Sequence, residues 1–597
     1  MGFVVRKRYL KKKTEDRSQE SEERPRGFGL RARRIPALVL LAFGGALAAP
    51  KAIVEYPHLP VAMRDGVRLY ANVYVPGEHA RYPAILVRTP YNKGSEISTS
   101  YRAFTEHGYA VVVQDVRGRY ESEGAFQPLT QETNDGDDTL NWIARQPWSD
   151  GKVGMLGGSY SGITQWKAAL SRNPHLKAIF PVVSGWDEYR DRYYSEGGAF
   201  RLGHRLEWMA ENMQAPGYRP DFDKFTLHLP LRTSDVLALG WESPLYRDVM
   251  EHPAFDRFWR AVSTREQIDK VRVPVFAVGG WYDVSAESDL AAYMALHKQN
   301  GTSRIVMGPW AHNMSAPFDG VDFGEGSHAP VRSLQVEWFN QWLMGKDSAL
   351  LSQPPVRFFL MGVNQWRDGW EWPPPEAAPK MYYLESGGSA NTLTGDGLLG
   401  ERQGHKAAAD RFEFDPEHPA PTHGGASCCN PKVLPWGPMD QRAVEERGDV
   451  LVYTSKPLKQ SVEVAGPVHA RLWVATSARD TDFTAKLVDV FPDGTARNLT
   501  DGILRLRYRN SLEKPEPATP GEVYPIEIDA GVTSNVFLPG HRIRVEISSS
   551  NFPRFDRNPN TGGAVADAKR MVKASQTLYH DGAHPSCVVL MVVRGKG

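Results

Sequence analysis

A serine lies in a glycine-rich run between a predicted strand and a predicted helix. The apolar segment at 153–156 leads into Gly157-Gly-Ser-Tyr-Ser-Gly162, and an amphipathic stretch follows. Glycines on both sides of Ser159 let the backbone turn sharply and leave the hydroxyl exposed, as in a nucleophile elbow. The N-terminus of the following helix favours negative charge that develops beside this hydroxyl. The run therefore predicts a nucleophilic serine, with the spacing G-x-S-x-x-G in place of the commoner G-x-S-x-G.

A serine nucleophile needs a base, and the base needs an acid that orients it. Two later loops supply both, in the order Ser, Asp, His that α/β hydrolases use. The predicted strand at 275–278 leads through Gly-Gly-Trp-Tyr to Asp283, and the strand at 304–307 leads through Gly-Pro-Trp-Ala to His312. Of the 17 histidines, His312 is the one that directly follows a predicted buried strand in a glycine and aromatic turn. We therefore expect Asp283 and His312 to complete a catalytic triad with Ser159.

The loop after the predicted strand at 84–87 supplies the remaining part of such a site. This strand runs into Arg88-Thr-Pro-Tyr91. In α/β hydrolases the loop in this position provides one donor of the oxyanion hole. The backbone N–H of Tyr160, the residue after the predicted nucleophile, is the second expected donor. These parts together predict acyl transfer, in which a carbonyl oxygen becomes an anion and must be stabilised.

The elements that must position these residues follow an α/β pattern. Apolar segments without period-two alternation are typical of strands buried on both faces of a parallel sheet. They occur at 84–87, 110–113, 153–156, 179–183, 275–278 and 304–307. Helical patterns lie between several of them, and at 187–268 the strand signal gives way to aromatic and aliphatic residues at helical spacing. We expect an α/β-hydrolase core at 52–186 and 269–350, interrupted by a helical cap at 187–268 that covers the site.

The last part of the chain has a different pattern. Proline pairs and triplets follow residue 353, and clean alternation of apolar and polar residues appears, as at 543–548. Such strands have one solvent-exposed face and are typical of antiparallel sandwiches. We therefore expect a β-sandwich at 355–597, of jelly-roll type.

The N-terminus has the layout of a secretory signal peptide. Residues 1–34 carry 12 Lys and Arg against 5 Asp and Glu, and an apolar run of 15 residues follows at 35–49. The run is too short for a comfortable membrane span, and Ala46-Leu-Ala48 matches an A-x-A cleavage site. The sequence predicts a signal peptide at 1–48 and a secreted or periplasmic protein, with a cytoplasmic location as the alternative.

Composition excludes several classes of function. Beyond residue 34 acidic residues slightly outnumber basic ones, so the basic footprint of a nucleic-acid-binding protein is absent. No Cys and His spacing resembles a zinc site, and we expect no metal and no cofactor. The cysteines are Cys428, Cys429 and Cys587. Because adjacent cysteines rarely bridge each other, we expect at most one disulfide, formed with Cys587. The oligomeric state stays open, with a homo-oligomer among the alternatives.

The motifs as a set resemble one family. The runs that contain Ser159, Asp283, His312 and Tyr91 are similar to those of the cocaine-esterase and X-Pro dipeptidyl-peptidase acyl hydrolases, a group that includes α-amino-acid ester hydrolases and cephalosporin acylases. Further similar blocks are Asp115-Val-Arg-Gly118, Gly437-Pro-Met-Asp-Gln441 and Gln576-Thr-Leu-Tyr-His580. The resemblance implies an α/β-hydrolase core, an inserted helical cap and a C-terminal jelly roll. It also implies that the Tyr91 phenol O–H joins the Tyr160 N–H in the oxyanion hole.

One departure from the family narrows the substrate. Family members that act on amino esters carry carboxylates just after the triad aspartate, where they hold the substrate's α-ammonium. Here Asp283 is followed by Val284, Ser285 and Ala286. Aromatic residues instead suggest an apolar acyl pocket. The candidates are Trp186, Tyr189, Phe200, Trp208, Trp281 and Trp310.

The sequence therefore predicts a serine hydrolase that cleaves ester or amide bonds of small acyl substrates through an acyl-enzyme. One alternative is an X-Pro dipeptidyl aminopeptidase, an α-amino-acid ester hydrolase or a cephalosporin acylase. The aminopeptidase must recognise an amine of its substrate, so blocking that amine would distinguish it from a simple esterase. A second alternative is a surface binding protein that carries an inactive hydrolase domain. The complete set of triad and oxyanion residues argues against that loss of activity.

Overall fold

The computed structural model describes residues 53–214, 218–316, 318, 320–404 and 408–594. The predicted signal peptide at 1–48 lies outside these residues. Among the described residues no helix has the length and apolar character needed to cross a bilayer.

The first sheet has ten strands in the described part of the chain. They are β1 Val54–Ala62, β2 Arg68–Val75, β3 Tyr82–Thr89, β4 Ala110–Asp115, β5 Ser149–Gly158, β6 Leu176–Val182, β7 Phe276–Tyr282, β8 Arg304–Ala311, β9 Val356–Leu360 and β10 Gln365–Gly369. Their order across the sheet is β1-β2-β4-β3-β5-β6-β7-β8-β9-β10. Neighbouring strands from β4 to β9 are parallel, and β1, β2 and β10 add antiparallel edges.

Helices surround this sheet and fill a long insertion. The α-helices are α1 Thr99–Glu106, α2 Glu132–Ala144, α3 Tyr160–Leu170, α4 Leu202–Met213, α5 Phe222–Thr226, α6 Ser234–Leu239, α7 Pro244–Glu251, α8 Arg257–Val262, α9 Ala286–Asn300, α10 Val331–Met344 and α11 Arg442–Glu445. A π-helical turn spans Glu188–Tyr193, and short 3₁₀ turns lie at Leu231–Thr233, Arg265–Lys270, Glu325–Ser327, Ala349–Ser352, Leu506–Tyr508 and Val565–Asp567.

Both faces of the central strands are buried, which explains their continuous apolar runs. In β3, Ile85 packs in one cluster with Phe104 of α1 and Phe339 of α10. The next residue, Leu86, packs in a second cluster with Trp166 of α3 on the opposite face. Successive side chains of a strand point to opposite faces, so a strand covered by helices on both sides is apolar throughout.

The helices between β6 and β7 form the inserted cap. Their aromatic side chains pack together, so that Tyr189 stacks on Tyr194 at 4.7 Å and meets Trp259 edge-on at 5.3 Å, in a cluster that also contains Tyr160 and Ile163 of α3. The apolar core of the cap is therefore continuous with the helix that follows Ser159.

The C-terminal domain is built from β-strands. They are β11 Ala377–Glu385, β12 Leu398–Gly400, β13 Ala409–Phe414, β14 Leu451–Thr454, β15 Val462–Thr476, β16 Asp482–Val490, β17 Ala496–Arg505, β18 Tyr524–Phe537, β19 Arg542–Ser548, β20 Ala574–Tyr579 and β21 Cys587–Val593. Pairing is antiparallel apart from β12 with β14. An α/β-hydrolase core with a helical cap and a C-terminal β domain confirms the predicted fold class.

Two details differ from the sequence-based expectations. The strands β9 and β10, which fall within the expected sandwich at 355–597, extend the first sheet, because β9 pairs in parallel with β8. The expected solvent-exposed face of β19 is buried. Arg544 and Glu546 are 7% and 4% exposed, and they pair with Glu445 and Lys486. Alternation in this strand therefore separates apolar packing from buried ion pairs, not core from solvent.

Candidate active site

Ser159 lies on a sharp turn between β5 and α3. Its backbone has φ 54° and ψ −124°, a left-handed conformation that is costly for a non-glycine residue. Two nearby glycines allow this tight turn, because a side chain at either position would clash with a neighbouring residue. A Cβ on Gly157 would lie 2.5 Å from the Cβ of Ser161, and one on Gly162 would lie 2.3 Å from the Cβ of Ser184. The glycine pattern of the motif is therefore a steric requirement of the turn.

Asp283 and His312 follow the adjacent parallel strands β7 and β8. Carboxyl ends of parallel strands meet at one edge of a sheet, which brings both residues to the turn that carries Ser159. Glycines again allow a close approach, since a Cβ on Gly280 would lie 2.3 Å from the backbone oxygen of Trp310.

The three side chains form a continuous chain of hydrogen bonds. His312 Nε2 lies 3.0 Å from Ser159 Oγ, and its Nδ1 lies 2.6 Å from Asp283 Oδ2. Asp283 is 1% exposed, and its other oxygen accepts the Ser285 N–H at 2.9 Å. An aspartate carboxylate only accepts hydrogen bonds, so the imidazole donates from Nδ1 and leaves Nε2 to accept the serine proton. This is the arrangement that a serine nucleophile requires.

Tyr91 reaches the same serine from the loop after β3. Its phenol oxygen lies 3.2 Å from Ser159 Oγ and accepts the indole N–H of Trp208 at 3.2 Å. Because an indole nitrogen can only donate, the phenol proton stays available for the serine side of the site. The N–H of Tyr160 begins α3, where the first helical N–H groups have no partner within the helix. The structure thus places both predicted oxyanion donors beside Ser159.

A buried ion pair connects the segment that carries Tyr91 with the segment that carries Tyr160. The sequence analysis did not predict it. Arg88 is fully buried, and its Nη1 donates to Glu132 Oε2 at 2.6 Å. The other oxygen of Glu132 accepts the Tyr160 hydroxyl at 2.8 Å. Burial raises the pKa of Tyr160 well above its usual range, so this hydroxyl stays a donor. The only signal in the sequence was the position of Arg88 at the start of the tyrosine motif.

A cleft lies beside Ser159 and His312 under the helical cap. Its closed part is a narrow cavity of about 30 Å³, and it opens to a wider mouth of about 390 Å³ that Tyr91 also lines. The walls of the closed part combine apolar and charged side chains. They include Leu129, Ile163, Val183, Glu188, Asp191, Arg192, Tyr193, Arg205 and Trp208. Among the described residues no group of three or more His, Cys, Asp or Glu side chains is placed to hold a metal ion.

Of the six aromatic candidates for the acyl pocket, Trp208 lines the cleft. The other five side chains lie elsewhere. Trp186, Tyr189 and Phe200 are buried in packing clusters. Trp281 and Trp310 point behind the site, where their indole N–H groups donate to backbone oxygens at 2.8 and 3.0 Å. The structure therefore does not place these five rings in the acyl pocket that the sequence predicted for them, because each is buried against other parts of the protein.

The disulfide prediction was wrong. Cys428 and Cys429 are bonded to each other, and Cys587 is a buried free thiol in β21. Cys429 has φ 94°, an unusual conformation that accompanies this bond between adjacent residues. Both cysteines line the closed cleft, and Cys429 also lines its mouth. The disulfide is therefore part of the cleft wall.

Comparisons with known proteins identify the family of this chain. A family model described as X-Pro dipeptidyl-peptidase (S15 family) matches residues 65–314, and a model of the X-Pro dipeptidyl-peptidase C-terminal non-catalytic domain matches residues 349–589. The chain is 40% identical to cocaine esterase of Rhodococcus sp. (strain MB1 Bresler) over 89% of this chain and 98% of that protein.

Solved structures give the same picture. An α-amino acid ester hydrolase superposes with a TM-score of 0.79 at 27% identity, covering 92% of this chain and 99% of that one. An aminopeptidase from a marine sediment archaeon, Thaumarchaeota archaeon, superposes with a TM-score of 0.80 at 26% identity, covering 91% and 97%. The chain therefore belongs to the S15 family of serine hydrolases, the group of esterases and peptidases that contains cocaine esterase.

Proposed function

We propose that this protein is an esterase in which Ser159, His312 and Asp283 form the catalytic triad and Tyr91 and the Tyr160 N–H form the oxyanion hole. The observation that carries the proposal is the unbroken set of hydrogen bonds from Asp283 through His312 to Ser159, with the Tyr91 phenol 3.2 Å from the same oxygen. Base, orienting acid and oxyanion donor thus converge on one hydroxyl at the wall of a cleft.

Acylation begins when His312 Nε2 takes the proton of Ser159 as Oγ attacks the ester carbonyl carbon. The carbonyl electron pair moves onto its oxygen, where the Tyr91 O–H and the Tyr160 N–H donate to it. Asp283 stabilises the imidazolium that forms and holds it in the productive tautomer. Collapse of the tetrahedral intermediate expels the alkoxide, which takes the proton from Nε2. The acyl group stays on Ser159.

Deacylation repeats these steps with water. His312 takes a proton from a water molecule as its oxygen attacks the acyl-enzyme, and the same donors receive the second oxyanion. Collapse breaks the bond to Oγ, and Ser159 recovers its proton from His312. The acid product leaves, and the site returns to its starting state.

The carboxylates of the cleft favour an ester substrate without a free α-amino group. Glu188 pairs with Arg192 at 2.6 Å and with Lys167 at 3.3 Å. Asp191 accepts the N–H groups of Trp186 and Asp187 at 2.8 and 2.7 Å. Both oxygens of Glu188 and the Oδ2 oxygen of Asp191 are therefore already engaged within the chain, which leaves little carboxylate surface to hold an ammonium group.

The experiment is fluorophosphonate labelling of the purified protein, followed by peptide mapping. We expect labelling at Ser159 that is lost in His312→Ala, together with hydrolysis of p-nitrophenyl esters. Lack of labelling in the folded protein would refute the proposal. A preference for aminoacyl-proline amides over the same amides with a blocked amine would favour a dipeptidyl aminopeptidase instead.

Tyr91→Phe should lower kcat for p-nitrophenyl esters by about 10²–10³-fold, the usual cost of one lost oxyanion donor. The substitution keeps the ring in place and removes the hydroxyl, so KM should change less than kcat. Steady-state kinetics on the purified variant measures both constants. Tyr56→Phe is the control, because Tyr56 is 39% exposed and lies in the edge strand β1. Near-normal kcat in Tyr91→Phe would remove its phenol from the mechanism.

We also infer that the protein is exported. The basic segment, the apolar run and the A-x-A site at 46–48 support a cleaved signal peptide, and an oxidising compartment suits the bond between Cys428 and Cys429. The mature protein should begin at Ala49. It should titrate one thiol when denatured without reductant and three after reduction, given the 3 cysteines of the chain. N-terminal sequencing and thiol titration of protein recovered outside the cytoplasm check both. An uncleaved cytoplasmic product with three free thiols would contradict this inference.

A further inference from the structure

A buried arginine forms part of the closed cleft wall. Arg205 lies in α4 of the cap, is 7% exposed, and lines the same cleft as Ser159 and His312. Burial lowers its pKa, but an arginine keeps its charge at neutral pH because its usual pKa is above 12. The cleft therefore contains a permanent cation close to the proposed nucleophile.

The position of this guanidinium is fixed by its neighbours. Its Nε donates to the backbone oxygen of Arg192 at 3.2 Å. The guanidinium carbon lies 5.0 Å from the ring centre of Tyr193 and 5.4 Å from that of Trp208, within the range of cation–π contacts. Trp208 in turn donates to the Tyr91 phenol. A rigid chain of contacts thus connects Arg205 with the proposed oxyanion hole.

In the described part of the chain no carboxylate oxygen lies within ion-pair distance of this cation, although the charge of Glu188 partly compensates it. The two carboxylates of the cleft are engaged elsewhere, Glu188 by Arg192 and Lys167, and Asp191 by backbone N–H groups and the Ser288 hydroxyl. Tyr193 does not compensate the charge, because burial raises its pKa to about 12 and the phenol stays neutral. A buried charge is costly unless a counter-charge and hydrogen bonds satisfy it. The free donors of this guanidinium therefore suit an anion that arrives with the substrate.

We infer that Arg205 binds a carboxylate on the acyl group of the substrate, so that the protein prefers monoesters of dicarboxylic acids. The inference rests on the proposed esterase function and names its substrate class. A guanidinium presents paired N–H donors that match the two oxygens of a carboxylate.

The shape of the cleft assigns the carboxylate to the acyl side. The acyl group must stay in place while water hydrolyses the acyl-enzyme, whereas the alcohol leaves after the first step. The narrow closed part, which Arg205 lines, suits the charged end of a group that stays, and the wider mouth suits a group that departs. A carboxylate on the alcohol should therefore gain little from Arg205.

Three p-nitrophenyl esters of similar length separate the effect of charge from that of shape. They are the hexanoate, the monoester of adipic acid and the 6-aminohexanoate, whose acyl chains end in a methyl, a carboxylate and an ammonium group. For the unmodified protein we expect a higher kcat/KM for the adipate than for the hexanoate, and the lowest for the aminohexanoate.

The test compares Arg205→Gln and Arg205→Lys with the unmodified protein. We expect Arg205→Gln to lower the ratio of kcat/KM for adipate over hexanoate by about 10- to 100-fold, mainly through KM, as for loss of a charged hydrogen-bonded pair. Arg205→Lys should retain part of the preference, because it keeps the charge but loses the paired donors. Arg260→Gln is the control, since Arg260 is on the cap surface and pairs with Glu513. It should leave the ratio unchanged.

Three outcomes would overturn the inference. An equal loss for adipate and hexanoate in Arg205→Gln would mean that the guanidinium only supports the packing of Trp208. An unchanged ratio in the folded variants, checked by circular dichroism, would mean that no carboxylate is bound. Preference for the aminohexanoate would mean that Glu188 and Asp191 decide specificity. In all three cases hexanoate turnover and labelling of Ser159 persist in the unmodified protein, whereas failure of the proposed function would abolish both.

Discussion

Replacing Ser159 with alanine should lower kcat for p-nitrophenyl esters by about 10⁶-fold, the size of loss seen when a triad serine is removed. The hydroxyl forms the covalent bond to the acyl group, and no other side chain of the triad can replace it. The fold should persist, because within the described part of the chain the hydroxyl bonds only to His312 and Tyr91, and alanine keeps the same Cβ at this strained position. Steady-state turnover, fluorophosphonate labelling and circular dichroism measure the three parts of this expectation.

The matched control is Ser161→Ala, two residues further in the same motif. Ser161 is 6% exposed, and its backbone oxygen, rather than its hydroxyl, accepts from Thr164 and Gln165. Its loss should leave labelling and turnover close to those of the unmodified protein. Labelling that survives in Ser159→Ala but disappears in Ser161→Ala would move the nucleophile and contradict the assignment.

A double variant tests whether the side chains act as a unit. When serine and histidine serve one reaction, removing both costs about as much as removing either. Ser159→Ala with His312→Ala should therefore be no slower than Ser159→Ala alone. A multiplicative loss would mean that His312 contributes by another route, such as substrate binding.

The positions of the proposed triad residues follow from the sequence because parallel strands impose them. Ser159, Asp283 and His312 each come directly after a buried strand, and the carboxyl ends of those strands lie at one edge of the sheet. Once the strands were recognised, order along the chain was enough to bring the three loops together.

Contacts between segments that are distant in the chain could not be predicted from the sequence pattern in the same way. Arg88 and Glu132 lie 44 positions apart, and nothing in either local pattern predicts their ion pair. The same holds for Arg205, which helical spacing marked only as part of an amphipathic cap helix. Its role depends on which carboxylates its neighbours already hold, and that is a property of the folded cleft. Local periodicity predicts burial, whereas the choice of partner is set by tertiary packing.

Residues 354–369 show that composition alone could not assign these strands to the correct sheet. The proline pair at 354–355 was interpreted as the start of the sandwich, since prolines often mark linkers. In the structure it precedes β9, in which Val356 and Phe358 are buried against the first sheet. Proline is compatible both with a linker and with the beginning of a strand, so composition alone could not distinguish these two possibilities.

Replacing Arg505 with methionine should lower the free energy of unfolding by about 3–5 kcal/mol, the cost of removing one partner from a buried ionic group. Arg505 lies between two buried carboxylates. Its guanidinium donates to Asp482 at 2.9 and 3.0 Å and to Asp556 at 2.6 and 3.2 Å, and the arginine is 3% exposed. Methionine fills similar space but leaves both carboxylates without their cation.

Arg505→Met should also lower the local stability of the cap. Asp556 Oδ1 also accepts the backbone N–H of Phe200 at 3.1 Å, and the Asp556 N–H donates back to the Phe200 oxygen at 2.8 Å. Weakening these two hydrogen bonds between the β domain and the cap should raise the rate of amide hydrogen exchange around residue 200. Denaturation in urea measures the stability change, and exchange mass spectrometry measures the local one.

Arg471→Met is the control for Arg505→Met. Arg471 and Glu527 pair at 2.7 Å, but their side chains are 55% and 50% exposed, so water screens the pair and its removal should cost less than about 1 kcal/mol. Equal destabilisation by the two variants would show that burial of the Arg505 cluster adds nothing. The destabilisation in Arg505→Met comes from buried carboxylates that have lost their cation. Adding Asp482→Leu and Asp556→Leu should therefore restore part of the lost free energy of unfolding. Recovery of that kind would separate the electrostatic effect from the loss of packing, since the added substitutions remove charge without restoring the arginine.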